Sequence, residues 1–187
     1  MVVFMGIPNL LTWLRILLVP IFVLLFYLPF HTSRVIATLI FCFAAMTDWL
    51  DGYLARSWGQ VSKLGTFLDP VADKLTVATA LILLVGEHQL PYLSIPAIVI
   101  VGREITVSAL REWMAEVGKR ASVAVSFLGK IKTTLQMSAV ILLLLYQPDG
   151  GPALLGSIGY VCLCSAAGLT LWSMCLYLKA AWRDLLS

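Results

Sequence analysis

Residues 48–73 read DWLDGYLARSWGQVSKLGTFLDPVAD and contain four aspartates in two pairs, Asp48/Asp51 and Asp69/Asp73. Strongly apolar segments precede and follow this acidic stretch. A carboxylate near the middle of a membrane helix costs about 2.5–3.5 kcal/mol on insertion scales. Four uncompensated carboxylates would therefore cost roughly 10 kcal/mol. The acidic stretch needs bound divalent cations or a water-filled pocket to offset this cost.

The composition of the whole chain indicates a membrane protein. Of its 187 residues, 60% are hydrophobic and only 12% are charged, and the mean hydropathy is +0.95. Soluble domains average about 25% charged residues. No polar linker or shift in composition divides the chain, so we expect one catalytic domain over residues 1–187.

Six apolar segments approach the length of about 20 residues that a membrane-spanning helix needs. They are residues 10–30, 35–55, 69–86, 91–110, 132–147 and 153–178. The N-terminal region lacks the basic start and the cleavage site of a signal peptide, so we expect the first segment to be a mature helix. The sequence predicts an all-α membrane protein, a bundle of six transmembrane helices with residues 1–8 as a short interfacial segment.

Basic residues accumulate after the second, fourth and sixth apolar segments. Arg56 and Lys63 follow the second segment, for example, and Lys119 and Arg120 follow the fourth. By the positive-inside rule, these linkers and both termini are expected on the cytoplasmic side. The acidic stretch then lies at the cytoplasmic end of the second and third helices.

Helical periodicity brings the carboxylates of each pair onto one face. At roughly 100° per residue, Asp48 and Asp51 lie within about 60° of each other around the helix. Gly65, Asp69 and Asp73 recur every four residues, so they also lie on one face. Carboxylate oxygens suit Mg²⁺ or Mn²⁺, and no His or Cys nearby favours zinc. Four aspartates can hold two such ions about 3.5–4 Å apart, an arrangement used for phosphoryl displacement.

Other interpretations of the neighbouring residues stay open at this point. The small residues Gly52, Ala55 and Gly65 are typical of helix–helix contacts, although they could also leave room for a nucleotide. Arg56 could extend to the membrane interface or bind a phosphate. The Asp51-Gly52 pair is also a turn signal, which would end the second helix early.

The acidic stretch resembles the signature of the CDP-alcohol phosphotransferases at all eight of its fixed positions. The matching pattern is Asp48-x₂-Asp51-Gly52-x₂-Ala55-Arg56-x₈-Gly65-x₃-Asp69-x₃-Asp73. The resemblance extends from Ile7 to about Met137. It is carried by IPNLLTWLRILLVP, DWLDGYLAR, GTFLDPVADK, REITVSALREWMAEVGKR and SVAVSFLGKIKTT, with LWSMCLYL near the end.

This resemblance implies a phospholipid-synthesis reaction: CDP-diacylglycerol and glycerol 3-phosphate give phosphatidylglycerol phosphate and CMP. It also implies a homodimer of six-helix subunits in the bacterial cytoplasmic (inner) membrane, with the active site facing the cytoplasm. Two divalent cations, Mg²⁺ or Mn²⁺, are implied as cofactors. By the same resemblance, Asp48 and Asp69 contact both ions, Asp51 the first and Asp73 the second. Asp73 also resembles the general base of the family.

Two further groups of residues are candidates for substrate binding. The positions that contact CDP-diacylglycerol match Gly52, Arg56, Ser62, Asn9 and Thr12. Glycerol 3-phosphate is a phosphate anion, so its pocket should be basic. The candidates for that pocket are Arg103, Thr106, Arg111, Lys130 and Lys132.

The residues proposed for the acceptor site could also have purely structural roles. Arg103 could form an ion pair with Glu104 instead of binding substrate, and Thr106 could simply pack between helices. Lys130 could serve only to orient the chain in the membrane.

Two other functions compete with the transfer to glycerol 3-phosphate. A member of the same family could use serine or inositol phosphate as the acceptor, and the acidic stretch alone does not separate these alcohols. An ion transporter would also carry intramembrane carboxylates. However, the acids cluster at one end of the helices, and the chain lacks the internal repeat common in transporters.

Overall fold

The computed structural model describes residues 7–30, 32–58, 63–87, 90, 92–116, 127–147 and 152–185. Within these ranges the chain forms six helices and no strand, which confirms the all-α prediction for the described residues. The helices are α1 (Ile7–Tyr27), α2 (Ser33–Trp58), α3 (Lys63–Gly86), α4 (Ser94–Glu116), α5 (Phe127–Leu145) and α6 (Ala153–Leu185).

The helices α2 and α3 differ from the predicted segments at the ends that carry the aspartates. Helix α2 continues through Asp51-Gly52 to Trp58, so this pair does not form a turn. Helix α3 begins at Lys63 rather than at Asp69. All four aspartates therefore lie inside helices, where the backbone fixes the direction of each side chain. The lone turn signal at Asp51-Gly52 is too weak to end a helix whose apolar residues pack against neighbours.

The chain divides into two compact units, the first comprising Met1–Gly86. In this unit α1 packs against both α2 and α3. The rings of Phe22 on α1 and Phe41 on α2 lie 6.1 Å apart between centroids. Small residues, among them Ala37 on α2 and Ala72 on α3, are fully buried. Burial of these apolar and small residues holds the two aspartate-bearing helices against α1.

The second unit comprises Glu87–Ser187, and in it α6 packs against both α4 and α5. Its core includes Ile100 of α4, Leu143 of α5 and Leu163 of α6. Two glycines of α6 allow a close approach to α5 and to Tyr146, which follows it. A Cβ atom added at Gly159 would lie 2.9 Å from Cγ of Leu143, and one added at Gly156 would lie 3.0 Å from the ring of Tyr146.

The surface of both units is rich in large apolar side chains. On α1, Leu10, Leu17 and Leu24 recur every seventh residue and are all exposed, and on α6 Val161 and Trp172 are exposed as well. Soluble monomers rarely expose contiguous apolar surfaces of this kind, whereas a lipid-facing helix requires them.

Two of the described helices are long and apolar enough to cross a membrane by length and composition alone. These are Leu10–Tyr27 in α1 and Ala153–Leu176 in α6, and Ile131–Leu145 in α5 forms a shorter apolar stretch. The described parts of α2, α3 and α4 carry charged residues that lower their hydropathy, among them Asp48, Asp69 and Arg103. The prediction of six spans is therefore supported directly for α1 and α6.

The close packing of α5 on α6 gives a stability test at Gly159. We expect Gly159→Ala to lower the free energy of unfolding by about 1–3 kcal/mol, because the new methyl group would overlap Leu143. The matched control is Gly168→Ala on the same helix, where an added Cβ meets no atom within 4 Å. Thermal unfolding in detergent measures both. Equal melting temperatures for the two variants would contradict the close approach at Gly159.

Candidate functional site

The carboxylates of α2 are paired with one arginine of α1. One terminal nitrogen of Arg15, Nη1, donates a hydrogen bond of 2.6 Å to Oδ1 of Asp48. The other, Nη2, donates to Oδ2 of Asp51. The Arg15 side chain is 1% exposed, the Asp51 side chain is almost fully buried, and that of Asp48 is 42% exposed. This geometry follows from the helix period, since residues three apart lie next to each other on one face and a guanidinium fork can reach both.

The carboxylate of Asp69 on α3 is also bound from α1. The hydroxyl of Thr12 donates a hydrogen bond of 2.5 Å to Oδ1 of Asp69. Thr12 is buried, and it lies three residues before Arg15, so both side chains occupy the same face of α1. One face of α1 therefore collects carboxylates from both α2 and α3.

The fourth aspartate, Asp73, lies one helical turn beyond Asp69 on α3. Its side chain is half-buried and takes part in an interaction with its surroundings. The spacing of four residues puts Asp73 on the same side of α3 as Asp69, as the sequence predicts. The structure thus brings Asp48, Asp51 and Asp69 together through α1, and helical spacing places Asp73 beside them.

The chemistry of this acidic cluster, Asp48, Asp51, Asp69 and Asp73, suits a divalent cation. Among the described residues, no three His, Cys, Asp or Glu side chains already converge on a point where they could hold a metal ion. In this arrangement Arg15 and Thr12 each bind carboxylate oxygens. Carboxylates are nevertheless the ligands that Mg²⁺ and Mn²⁺ prefer, and Asp48 is partly exposed. The residue types of this cluster therefore fit a hard cation.

The second unit contains a basic cluster built around Glu104 of α4. Oε1 of Glu104 accepts a hydrogen bond of 2.6 Å from Arg103 and one of 2.8 Å from Nζ of Lys132 on α5. Arg103 also lies 3.4 Å from Oγ of Ser173 on α6. Lys132 is 3% exposed. A single carboxylate thus joins α4 to α5, and Arg103 reaches α6.

The other predicted acceptor residues are Thr106, Arg111 and Lys130, and Arg111 interacts electrostatically with Lys132 of this cluster. The hydroxyl of Thr106 donates a hydrogen bond of 2.8 Å to the carbonyl oxygen of Gly102 in its own helix, and the residue is exposed. Arg111 is exposed on α4 and takes part in an interaction. The side chain of Lys130 lies outside the described residues. The ion pair between Arg103 and Glu104, which the sequence left open as an alternative, is present.

Most of the predicted contacts to CDP-diacylglycerol lie outside the part of the chain that the structure describes. Ser62 lies between α2 and α3, in a range that is not described. Gly52 and Arg56 lie in α2 and Asn9 in α1, and these positions are described for the backbone only. Thr12 is described, and its contact to Asp69 gives it a place in the acidic cluster.

Sequence reasoning missed three residues that organise these clusters. Arg15 is not among the residues predicted for the site, although an intramembrane arginine is by default a functional candidate. Glu104 was considered only as a partner of Arg103, and its contact with Lys132 joins positions 28 residues apart. Ser173 carried no signal, because serine packs routinely in membrane helices.

Known proteins resemble this chain over nearly its whole length. Residues 5–177 match the family model for CDP-alcohol phosphatidyltransferases. Relatives named CDP-diacylglycerol–glycerol-3-phosphate 3-phosphatidyltransferase occur in several bacteria. The protein of Yersinia enterocolitica is 52% identical over 97% of this chain and 98% of its own length. That of Pectobacterium atrosepticum is 53% identical over 97% of both chains, and that of Pseudomonas fluorescens is 56% identical over 97% of this chain and 92% of its own.

The matched region includes the acidic stretch and both clusters described above. The resemblance predicted from the motif is therefore confirmed, since the family model covers nearly the whole chain and the relatives are more than half identical to it. The chain belongs to the CDP-alcohol phosphatidyltransferase family.

Proposed function

We propose that the protein transfers the phosphatidyl group of CDP-diacylglycerol to sn-glycerol 3-phosphate, giving phosphatidylglycerol phosphate and CMP. The observation that carries this proposal is the identity of 51–56%, over nearly the full length, to relatives named for this transferase. The acidic cluster of the first unit and the basic cluster of the second supply the two kinds of charge that the reaction needs.

The family acts at membranes and generally uses divalent metal ions. We propose two ions here, Mg²⁺ or Mn²⁺, held by Asp48, Asp51, Asp69 and Asp73. When bound, they neutralise the pyrophosphate of the donor and stabilise the charge of the departing CMP. Arg15 and Thr12 hold three of these carboxylates towards one face of α1.

The chemical step needs an acceptor for one proton. The hydroxyl oxygen of glycerol 3-phosphate attacks the lipid-side phosphorus of the donor, and the bond from that phosphorus to the CMP oxygen breaks. The attacking hydroxyl loses its proton in this step, and Asp73 is the proposed general base. The carboxylate of Asp73 is only half-buried, so a proton that it accepts can pass on to solvent.

The donor nucleotide is proposed to contact α1, α2 and the linker after α2. The residues for this role are Gly52, Arg56, Ser62, Asn9 and Thr12. The hydrogen bond of Thr12 to Asp69 gives Thr12 an indirect part as well, because it orients a carboxylate of the acidic cluster.

The basic cluster is proposed to bind the phosphate of the acceptor. The residues for this role are Arg103, Thr106, Arg111, Lys130 and Lys132. Arg103 and Lys132 share the single carboxylate of Glu104, so this group of three side chains has an excess of one positive charge. A phosphate monoester carries close to two negative charges near pH 7, and charge-assisted hydrogen bonds to it are strong.

We propose a single catalytic domain over residues 1–187, with six membrane-spanning helices in the bacterial cytoplasmic (inner) membrane. The apolar helices α1 and α6 and the exposed apolar side chains support this architecture. The basic residues near the end of α2, between α4 and α5 and near the end of α6 support an active site that faces the cytoplasm. We propose a homodimer from the family resemblance.

A CMP-release assay with purified protein and CDP-diacylglycerol tests the proposed reaction. We expect release with glycerol 3-phosphate and little with serine, inositol phosphate or glycerol, because the other alcohols lack its size or charge. Chelation with EDTA should abolish the release, and Mg²⁺ or Mn²⁺ should restore it. Faster release of CMP with serine or inositol phosphate would show that glycerol 3-phosphate is not the acceptor. Full activity in a rigorously metal-free preparation would contradict the metal proposal.

The proposed phosphate contact of Arg111 predicts a selective kinetic effect. We expect Arg111→Ala to raise the KM for glycerol 3-phosphate at least tenfold, roughly the 1.4 kcal/mol of one charged hydrogen bond. The KM for CDP-diacylglycerol should change much less. Lys179→Ala, which removes another exposed cation in the second unit, serves as the control. An equal loss for both substrates would count against an acceptor role of Arg111.

The shared carboxylate of Glu104 gives a binding test for the basic cluster. Glu104→Gln keeps the shape of the side chain but leaves Arg103 and Lys132 without their common anion. We expect a lower melting temperature, and a larger rise on adding glycerol 3-phosphate than the native protein shows, because the phosphate replaces the lost charge. Glu112→Gln, at an exposed position on α4, should behave as the native protein. An unchanged response in Glu104→Gln would place the phosphate elsewhere.

A further inference from the structure

Arg15 is the most deeply buried charged side chain among the described residues, and it contacts two of the proposed metal ligands without itself being able to bind a cation. Its side chain is 1% exposed, and it lies in a helix that is mostly apolar. An arginine in the apolar part of a membrane helix is costly unless it is paired. The pairing is with Asp48 and Asp51, so its charge is compensated by two of the proposed metal ligands.

The contact geometry shows how Arg15 holds these carboxylates. Each terminal nitrogen of the guanidinium binds one oxygen of a different aspartate, so the planar group fixes two side chains at once. The remaining nitrogen, Nε, is buried and has no hydrogen-bond partner among the described residues. The two carboxylates are therefore the contacts that orient the guanidinium.

The charges explain why such a residue is needed. Asp48 and Asp51 carry two negative charges on adjacent turns of α2, and they would repel each other in a poorly hydrated environment. Arg15 cancels one of these charges. One negative charge of the three side chains therefore stays uncompensated, and it attracts a further cation.

We infer that Arg15 is a positioning residue, the internal counter-cation that holds Asp48 and Asp51 in place until a divalent cation binds them. This inference rests on the proposed function only for the identity of the second cation. Because Arg15 and a divalent cation stabilise the same negative charge, the loss of Arg15 matters most when no divalent cation is present.

Melting temperatures of the full chain in detergent, with EDTA or with saturating Mn²⁺, test this inference. In EDTA we expect Arg15→Gln to lower the melting temperature by roughly 6–12 °C, as expected for a broken buried ion pair. Mn²⁺ should reverse at least half of this loss. Arg15→Lys keeps the charge but cannot bind both carboxylates equally well. Its melting temperature in EDTA should lie between those of the native protein and Arg15→Gln. Arg34→Gln, which removes an arginine that lies 5.7 Å from the ring centroid of Phe26, is the control and should respond to Mn²⁺ as the native protein does.

A second arm tests the ion pair without any metal. In EDTA, the fall in melting temperature caused by Arg15→Gln should be at most half as large in an Asp51→Asn background as in the native background. The reason is that one of the two repelling charges is already gone. The inference is overturned if Arg15→Gln melts at the same temperature as the native protein in EDTA. It is also overturned if the fall in melting temperature is equal in EDTA and Mn²⁺ while Mn²⁺ stabilises the native protein, or if this fall is unchanged in the Asp51→Asn background. If Mn²⁺ stabilises no variant but the coupling with Asp51 persists, the counter-cation role stands and the metal part of the proposed function fails.

Discussion

The ion pair of Arg15 with Asp48 and Asp51 is the interaction on which the first unit depends. Each of these charges is costly in an apolar environment, and each is tolerated because the others lie within hydrogen-bonding distance. Thr12, one turn away, makes a similar connection to Asp69. The position of α1 against α2 and α3 is thus set by polar contacts as well as by apolar packing, since a shift along the helices would leave charges unpaired.

The second unit applies the same constraint with the opposite sign. Glu104 lies between Arg103 and Lys132, so one anion compensates two cations, whereas Arg15 is one cation between two anions. The arrangement around Glu104 leaves an excess of positive charge, which suits a phosphate. The arrangement around Arg15 leaves an excess of negative charge, which suits a divalent cation. Each cluster therefore keeps its carboxylates and cations ordered while it retains attraction for the ligand proposed for it.

The helices were predicted from the length of the apolar segments, and the largest differences from the structure lie at the ends that carry charge. A hydropathy criterion begins α3 at Asp69, whereas the helix begins at Lys63, because backbone hydrogen bonds continue through polar residues that lower the hydropathy. The same reason explains why α4 extends to Glu116, beyond the apolar segment. The Asp51-Gly52 pair is a turn signal when considered alone, but the surrounding residues of α2 favour a helix more strongly.

The sequence by itself determined the class of protein and the acidic motif. Eight fixed positions at fixed spacing, in a strongly apolar chain, specify both the family and the residue types of the site. The tertiary structure alone decided which partners these residues have. The contacts of Arg15 with Asp51 and of Lys132 with Glu104 join positions 36 and 28 residues apart. Helical periodicity relates residues within one helix, and it contains no information about which face of another helix packs against them.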